Sequence, residues 1–153
     1  MPKRVLLEAR PGPPQFNLFG ISCHLRDFRL SFLLNREMEL EFVKMDDFQG
    51  FSFYFYRDED KFTSYYMLGN RGEESFLVPD LKQTDFLLLA EGPMKKTQKE
   101  KLLTKIRGIQ NVLTAFEIRF ETIRRFDMLL PDLEIHLMNI LKESKSTFLP
   151  MKK

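Results

Sequence analysis

The chain of 153 residues has no tryptophan, one cysteine and two histidines. A lone Cys23 excludes an intramolecular disulfide and points to a reducing compartment. Zinc takes about four ligands at fixed spacing. Cys23, His24 and the distant His136 do not supply such a set, so no metal is expected. Cys23 reads as a small buried hydrophobe and His24 as a residue at a helix start. Long apolar runs are also missing. The longest, Phe86 to Ala90, falls far short of the roughly 20 residues that span a bilayer. The basic start Lys3-Arg4 is followed only by Val5-Leu6-Leu7, too short for a signal-peptide core. The expectation is a cytoplasmic protein with no membrane segment. Glycine fingerprints, phosphate loops and nucleophile elbows are absent as well, so neither a cofactor nor an enzymatic activity is expected.

What is present is an ordinary globular composition, 43% hydrophobic and 30% charged, with an unusual load of sixteen phenylalanines. The net charge of +2 hides a division. Residues 1–36 carry six Lys/Arg against two Asp/Glu, residues 37–91 five against thirteen, and residues 94–125 nine against three. An acidic middle and a basic third quarter point at different partners, or at each other.

Pro11-Gly12-Pro13-Pro14 closes an N-terminal arm over 1–15. A single domain is expected over 16–143 and a frayed tail over 144–153. Within the domain, Phe16–Ile21 reads as a strand. Leu25 to Leu34 reads as a helix, with Leu25, Phe28 and Phe32 on one stripe and Leu30, Leu33 and Leu34 beside it, ended by Asn35. Glu39–Val43, Phe51–Tyr56 and Phe62–Leu68 read as strands, the last two as a hairpin around the polar turn 57–61. Thr84–Glu91 is the most apolar strand and is expected to be central. Thr97-Gln98-Lys99-Glu100 has a capping-box pattern at the start of a helix that Gly108 ends. Val112–Ile118 is a last strand, and Pro131–Glu143 a terminal helix with Leu133, Leu137, Ile140 and Leu141 on one stripe. The order β-α-β-β-β-β-α-β-α predicts an α+β fold: a single antiparallel sheet with helices packed on one face, a ferredoxin-like order with an extra hairpin.

At Val78-Pro79-Asp80-Leu81-Lys82-Gln83-Thr84-Asp85-Phe86 the chain resembles the signature of the IPExxxVDY family of small bacterial proteins. Pro79 and Asp85 match identically, and Val78, Asp80, Thr84 and Phe86 are close substitutions. Leu18-Phe19-Gly20-Ile21, Asp27-Phe28-Arg29-Leu30 and Leu34-Asn35 are similar to the family's opening strand and first helix. The resemblance covers roughly residues 16–118. It implies a cytoplasmic bacterial protein and supplies no catalytic residues. Pro79 and Asp85 are expected to be structural, Asp85 accepting backbone N–H groups of the 80–84 loop or pairing with a basic residue such as Arg29.

Three further patterns carry possible chemistry. The acidic clusters Asp46-Asp47, Asp58-Glu59-Asp60 and Glu73-Glu74 fall in expected loops and read as solvated surface. Gln49-Gly50-Phe51-Ser52-Phe53-Tyr54-Phe55-Tyr56 echoes the aromatic strand of RNA-recognition domains. Its basic position is occupied by Gln49, however, and the segment lies in the acidic stretch, which repels phosphate. Finally, if Phe51, Phe53 and Phe55 face the helices, Tyr54 and Tyr56 point the other way, joined by Tyr65 and Met67. That face is a candidate interface for a homodimer, with coverage by the terminal helix as the alternative.

The leading expectation is therefore a non-enzymatic protein-interaction or regulatory module that self-associates through the sheet. The second is an RNA-binding protein using the basic helix, through Lys95, Lys96, Lys99, Lys101, Lys105 and Arg107. A small-molecule sensor with a pocket at a subunit interface comes third.

Overall fold

The computed structural model describes residues 16–152 apart from Phe62, Arg124 and Arg125. The arm expected over 1–15 lies outside the described residues. Six strands form one antiparallel sheet: β1 (Phe16–Cys23), β2 (Val43–Phe48), β3 (Phe51–Asp58), β4 (Thr63–Gly69), β5 (Phe86–Glu91) and β6 (Val112–Ile118). Three helices accompany it: α1 (Asp27–Met38), α2 (Lys96–Arg107) and α3 (Phe126–Lys152). The spatial order is β2-β3-β4-β5-β1-β6. Four neighbours, β6-β1-β5-β4, are arranged as in a ferredoxin-like fold, with β1 inserted between the parallel strands β5 and β6 that α2 connects. The β2–β3 hairpin extends the sheet beyond β4. The α+β class, the single antiparallel sheet and the central place of β5 are as expected.

The helices are not confined to one face. Period-two alternation sends two apolar rows through the sheet. One row, Tyr54–Met67–Leu88–Phe19, runs across β3, β4, β5 and β1 and lies in one core with Leu30, Leu33 and Leu34 of α1 and Leu103 and Ile106 of α2. The other row, Phe55–Tyr66–Leu89–Leu18–Ile118, lies in a second core with Phe126, Leu130, Leu133 and Leu137 of α3. The reason is compositional. Phe86–Ala90 is apolar at every position, so both of its faces need cover, and a sheet with helices on one side would leave half of it wet.

Several boundaries differ from expectation. α1 runs beyond Asn35 to Met38, and Glu39 ends it in the left-handed conformation with its N–H on the Asn35 carbonyl. Residues 39–42 are therefore not strand, and β2 begins at Val43. Asp46 and Asp47 lie in β2 instead of a loop. Charged side chains at an edge strand hide the alternation and discourage edge-to-edge pairing. Gln49 and Gly50 both have positive φ, 53° and 86°, the geometry of a two-residue hairpin turn between β2 and β3. α2 starts at Lys96, ahead of the expected Thr97 cap. The Lys95 N–H donates to Gln98 Oε1 at 2.7 Å. α3 starts five residues before Pro131 and continues past Glu143, so the tail expected over 144–153 is helical backbone as far as Lys152. Serine and lysine are only weakly unfavourable in a helix, and no glycine follows Asp132 to stop it.

Candidate functional site

The family-like segment ends at a cavity of about 390 Å³ lined by Cys23, Asp27, Asp47, Ser52, Arg71 and Asp85, among others. Three stretches of chain converge there. Asp85 immediately precedes β5, and its N–H donates to the Ile21 carbonyl at 2.9 Å. Its Oδ2 accepts the Cys23 N–H at 2.9 Å, and its Oδ1 accepts Arg71 Nε at 2.8 Å. Arg71 is held on three sides: by Asp85, by the Lys82 carbonyl at 3.2 Å, and by the Phe76 ring 5.2 Å below its guanidinium carbon. The expected partners of Asp85, the 80–84 N–H groups or Arg29, are thus replaced by Cys23 and Arg71. Asn70, fully buried, organises the loop itself. Its Nδ2 donates to the Leu81 and Thr84 carbonyls at 2.8 and 2.9 Å, and its Oδ1 accepts the Val78 N–H at 2.7 Å. Pro79 stands exposed in this loop, well ahead of β5, beside a second cavity of about 290 Å³ against α3.

The other two carboxylates of the polar cavity also have partners. Asp27 accepts the Tyr54 hydroxyl at 3.0 Å, and Asp47 pairs with Lys44 at 2.8 Å. Burial, then Asp27, pushes the Tyr54 phenol up to about 12. Burial pushes the Cys23 thiol up, away from the thiolate a nucleophile needs. Each charge in this cavity is thus committed to a structural contact.

The expected interface of Tyr54, Tyr56, Tyr65 and Met67 is not a free surface. Tyr54 and Met67 are buried beneath α1, and Tyr56 and Tyr65, stacked at 6.0 Å, pack half-buried against the same core. The exposed aromatics lie instead on α1. Phe28 and Phe32, expected in the core, are 61% and 53% exposed, while Leu30, Leu33 and Leu34 take the buried side. Arg26 covers the Phe28 ring at 5.8 Å, and Arg29 and Arg36 cover the Phe32 ring at 5.4 and 6.0 Å. Phe residues four apart with arginine between them give no hydropathy signal that distinguishes outside from inside.

Of the basic residues of α2, Lys99 pairs with Glu117 at 2.8 Å and Arg107 donates to the Ala115 carbonyl at 2.8 Å, so both fasten the helix to β6. Lys95, Lys96, Lys101 and Lys105 are exposed. His24 is exposed, and the His136 ring packs on Phe48 and Phe53 with Nε2 3.0 Å from the Asp46 carbonyl. No group of three or more His, Cys, Asp or Glu among the described residues is placed to hold a metal, and no helix among them is long and apolar enough to cross a membrane. Neither Asn70 nor Arg71 stands out in the sequence. A buried amide inside a polar run has no sequence signature, because only the fold decides that it is buried. No family model, curated protein or solved structure matches the chain.

Proposed function

We propose that the protein is a non-enzymatic, self-associating interaction module that forms a homodimer through the outward face of α3. With both faces of the sheet covered, self-association through the sheet face has no surface to use. One observation carries the reading. Met128, Ile135, Met138 and Leu141 are 60%, 56%, 67% and 43% exposed, all on the helix whose opposite side is buried in the core. At 100° per residue, Met128, Ile135 and Met138 fall within one stripe and Leu141 on its flank.

The occupant this stripe fits is its own copy. From 126 to 137 the helix carries Asp127, Asp132 and Glu134 and no Lys or Arg, and Lys142 follows the stripe's last member, Leu141. Two such helices packed antiparallel about a two-fold axis set the acidic start of each toward the partner's Lys142, a contact that the symmetry of an isologous interface makes twice. Pairing centred between Glu134 and Ile135 brings Asp127 level with the partner's Lys142 and Met128 level with its Leu141. The commitment of Asp27, Asp47 and Asp85 to structural contacts supports the non-enzymatic part of the reading. The proposed kinship with the IPExxxVDY family rests on the Val78–Phe86 resemblance, and the structural role proposed for Asp85 rests on its bonds to Cys23 and Arg71.

Light scattering after size exclusion tests the dimer. A mass twice that of the chain at about 50 µM is expected, and Ile135→Glu with Met138→Glu is expected to give a folded monomer, since both side chains are solvent-facing in the isolated chain. A parent protein that is monomeric at that concentration, a dissociation free energy below roughly 6 kcal/mol, overturns it.

A further inference from the structure

The outer surface of the α1–α2 layer, on the far side of the sheet from α3, is apolar and cationic in a different way from the α3 stripe. Phe28 and Phe32 lie i, i+4 on α1, directly opposite the buried Leu30 and Leu34. Three arginines surround the two rings. Arg36 is engaged with Glu37 at 3.3 Å, whereas Arg26 and Arg29 have no carboxylate partner among the described residues. α2 packs beside α1 on the same core, antiparallel to it because β1 and β5, which they follow, are antiparallel. On α2, Lys101 and Lys105 repeat the i, i+4 outward placement, flanked by exposed Lys95 and Lys96 at its start.

We infer that this surface binds single-stranded nucleic acid, with the Phe28 and Phe32 rings stacking on bases and Lys101, Lys105, Arg26 and Arg29 facing the phosphates. Charge complementarity identifies a polyanion. Topography separates the kinds of polyanion. An acidic amphipathic helix needs an apolar groove to receive its side chains. Here two exposed rings stand on the outward side of a helix with guanidinium groups over them, which a stacking base would displace toward its phosphates. Aromatic faces combined with a cationic track are what sequence-tolerant single-strand binding uses. Of the acidic residues that speak against RNA on the sheet, Glu37, Glu39 and Glu41 are exposed at the C-terminal end of α1, beyond the two rings, while Asp46 and Asp47 lie in β2, Asp58–Asp60 at the β3–β4 turn, and Glu73–Glu74 in the loop after β4. The RNA-recognition pattern at Gln49–Tyr56 plays no part, because Tyr54 is covered by α1 and Gln49-Gly50 is a hairpin turn.

The test is fluorescence anisotropy of the full chain with labelled dT20, with polyglutamate as competitor. Binding is expected at 50 mM NaCl, weakening about 50-fold by 200 mM if roughly four phosphates are neutralised. Phe28→Ala with Phe32→Ala is expected to weaken it at least tenfold while leaving the fold intact, since both rings are exposed. Lys101→Glu with Lys105→Glu is expected to flatten the salt slope. Three results each overturn the inference: no binding at 50 mM NaCl with 50 µM protein, binding that the two Phe substitutions leave unchanged, or equal competition by polyglutamate. The α3 variants Ile135→Glu and Met138→Glu distinguish this surface from the dimer, because they abolish self-association and are expected to leave a one-to-one complex with dT20.

Discussion

Asn70 and Asp85 together show how two polar side chains hold a loop to the sheet. Asn70 uses both donors and its acceptor on the 77–84 backbone, so a buried amide with all its bonds made closes the loop on itself. Asp85 then ties the loop's end to β1 through the Cys23 N–H and to Arg71. Asp85→Asn retains one acceptor and loses the charge. It is expected to lower stability by about 1–3 kcal/mol, toward the lower end because Arg71 is half exposed. The denaturant midpoint checks this; a variant as stable as its parent makes Asp85 a residue to test for function instead. Tyr54 and Tyr66 supply a pH effect. Both phenols are pushed up to about 12, first by burial and then by Asp27 for Tyr54 and by Glu91 and Glu134 for Tyr66. Their folded values lie above the ordinary value near 10, so the unfolded chain loses these protons first. Their stabilisation is whole below pH 10 and is lost as pH rises toward 12. The midpoint is expected to fall across that window, and Tyr54→Phe to fall less steeply.

The helices divide into faces that hydropathy reveals and faces that it does not. In α3 the buried positions Phe126, Leu130, Leu133 and Leu137 recur at steps of four, three and four, so the stripe through Leu133 and Leu137 was legible and only its ends were misjudged. Leu133→Ala removes a side chain with no exposure and is expected to cost about 2–5 kcal/mol, read from the shift of a urea unfolding curve. An unshifted curve would mean that α3 is not docked on the sheet. α1 has apolar stripes on two opposite sides. Periodicity established the helix, and tertiary packing chose Leu30, Leu33 and Leu34 over Phe28 and Phe32. The strands β1, β3, β4, β5 and β6 announced themselves by alternation or by dense apolar content. β2 did not, because Lys44, Asp46 and Asp47 on an edge strand look like a loop. Of the candidate site, Asp85 was legible through the family resemblance, but its partners Arg71 and Cys23 come from distant segments that only the topology brings together.

Across the whole molecule, charge and coverage follow the strand order. The acidic segments lie toward the β2-β3-β4 side, and the basic α2 packs on β6 at the opposite edge. For the antiparallel dimer, Asp127→Lys alone places like charges opposite each other twice, once at each symmetry-related contact. It is expected to weaken the dimer about tenfold, and addition of Lys142→Asp to restore it; dilution experiments at low salt read both, since exposed pairs are screened. Failure of the second swap to restore affinity would leave the apolar stripe without the proposed antiparallel register.

The place of β1 has a consequence for how the chain is made. Of the described strands it is the earliest to leave the ribosome, yet its two neighbours, β5 and β6, begin at Phe86 and Val112. At about 5–20 residues per second, some 5–20 s pass between emergence of Cys23 and of Ile118. Until Glu91 emerges Phe16, Leu18, Phe19 and Ile21, all buried in the finished protein, have neither strand partner in place, and until Ile118 emerges they have β5 alone. β2, β3 and β4 can pair meanwhile as a meander, so the sheet is completed from its late end backwards. A nascent chain halted before Val112 presents a ladder with one side bare, which is the state a holding chaperone would recognise.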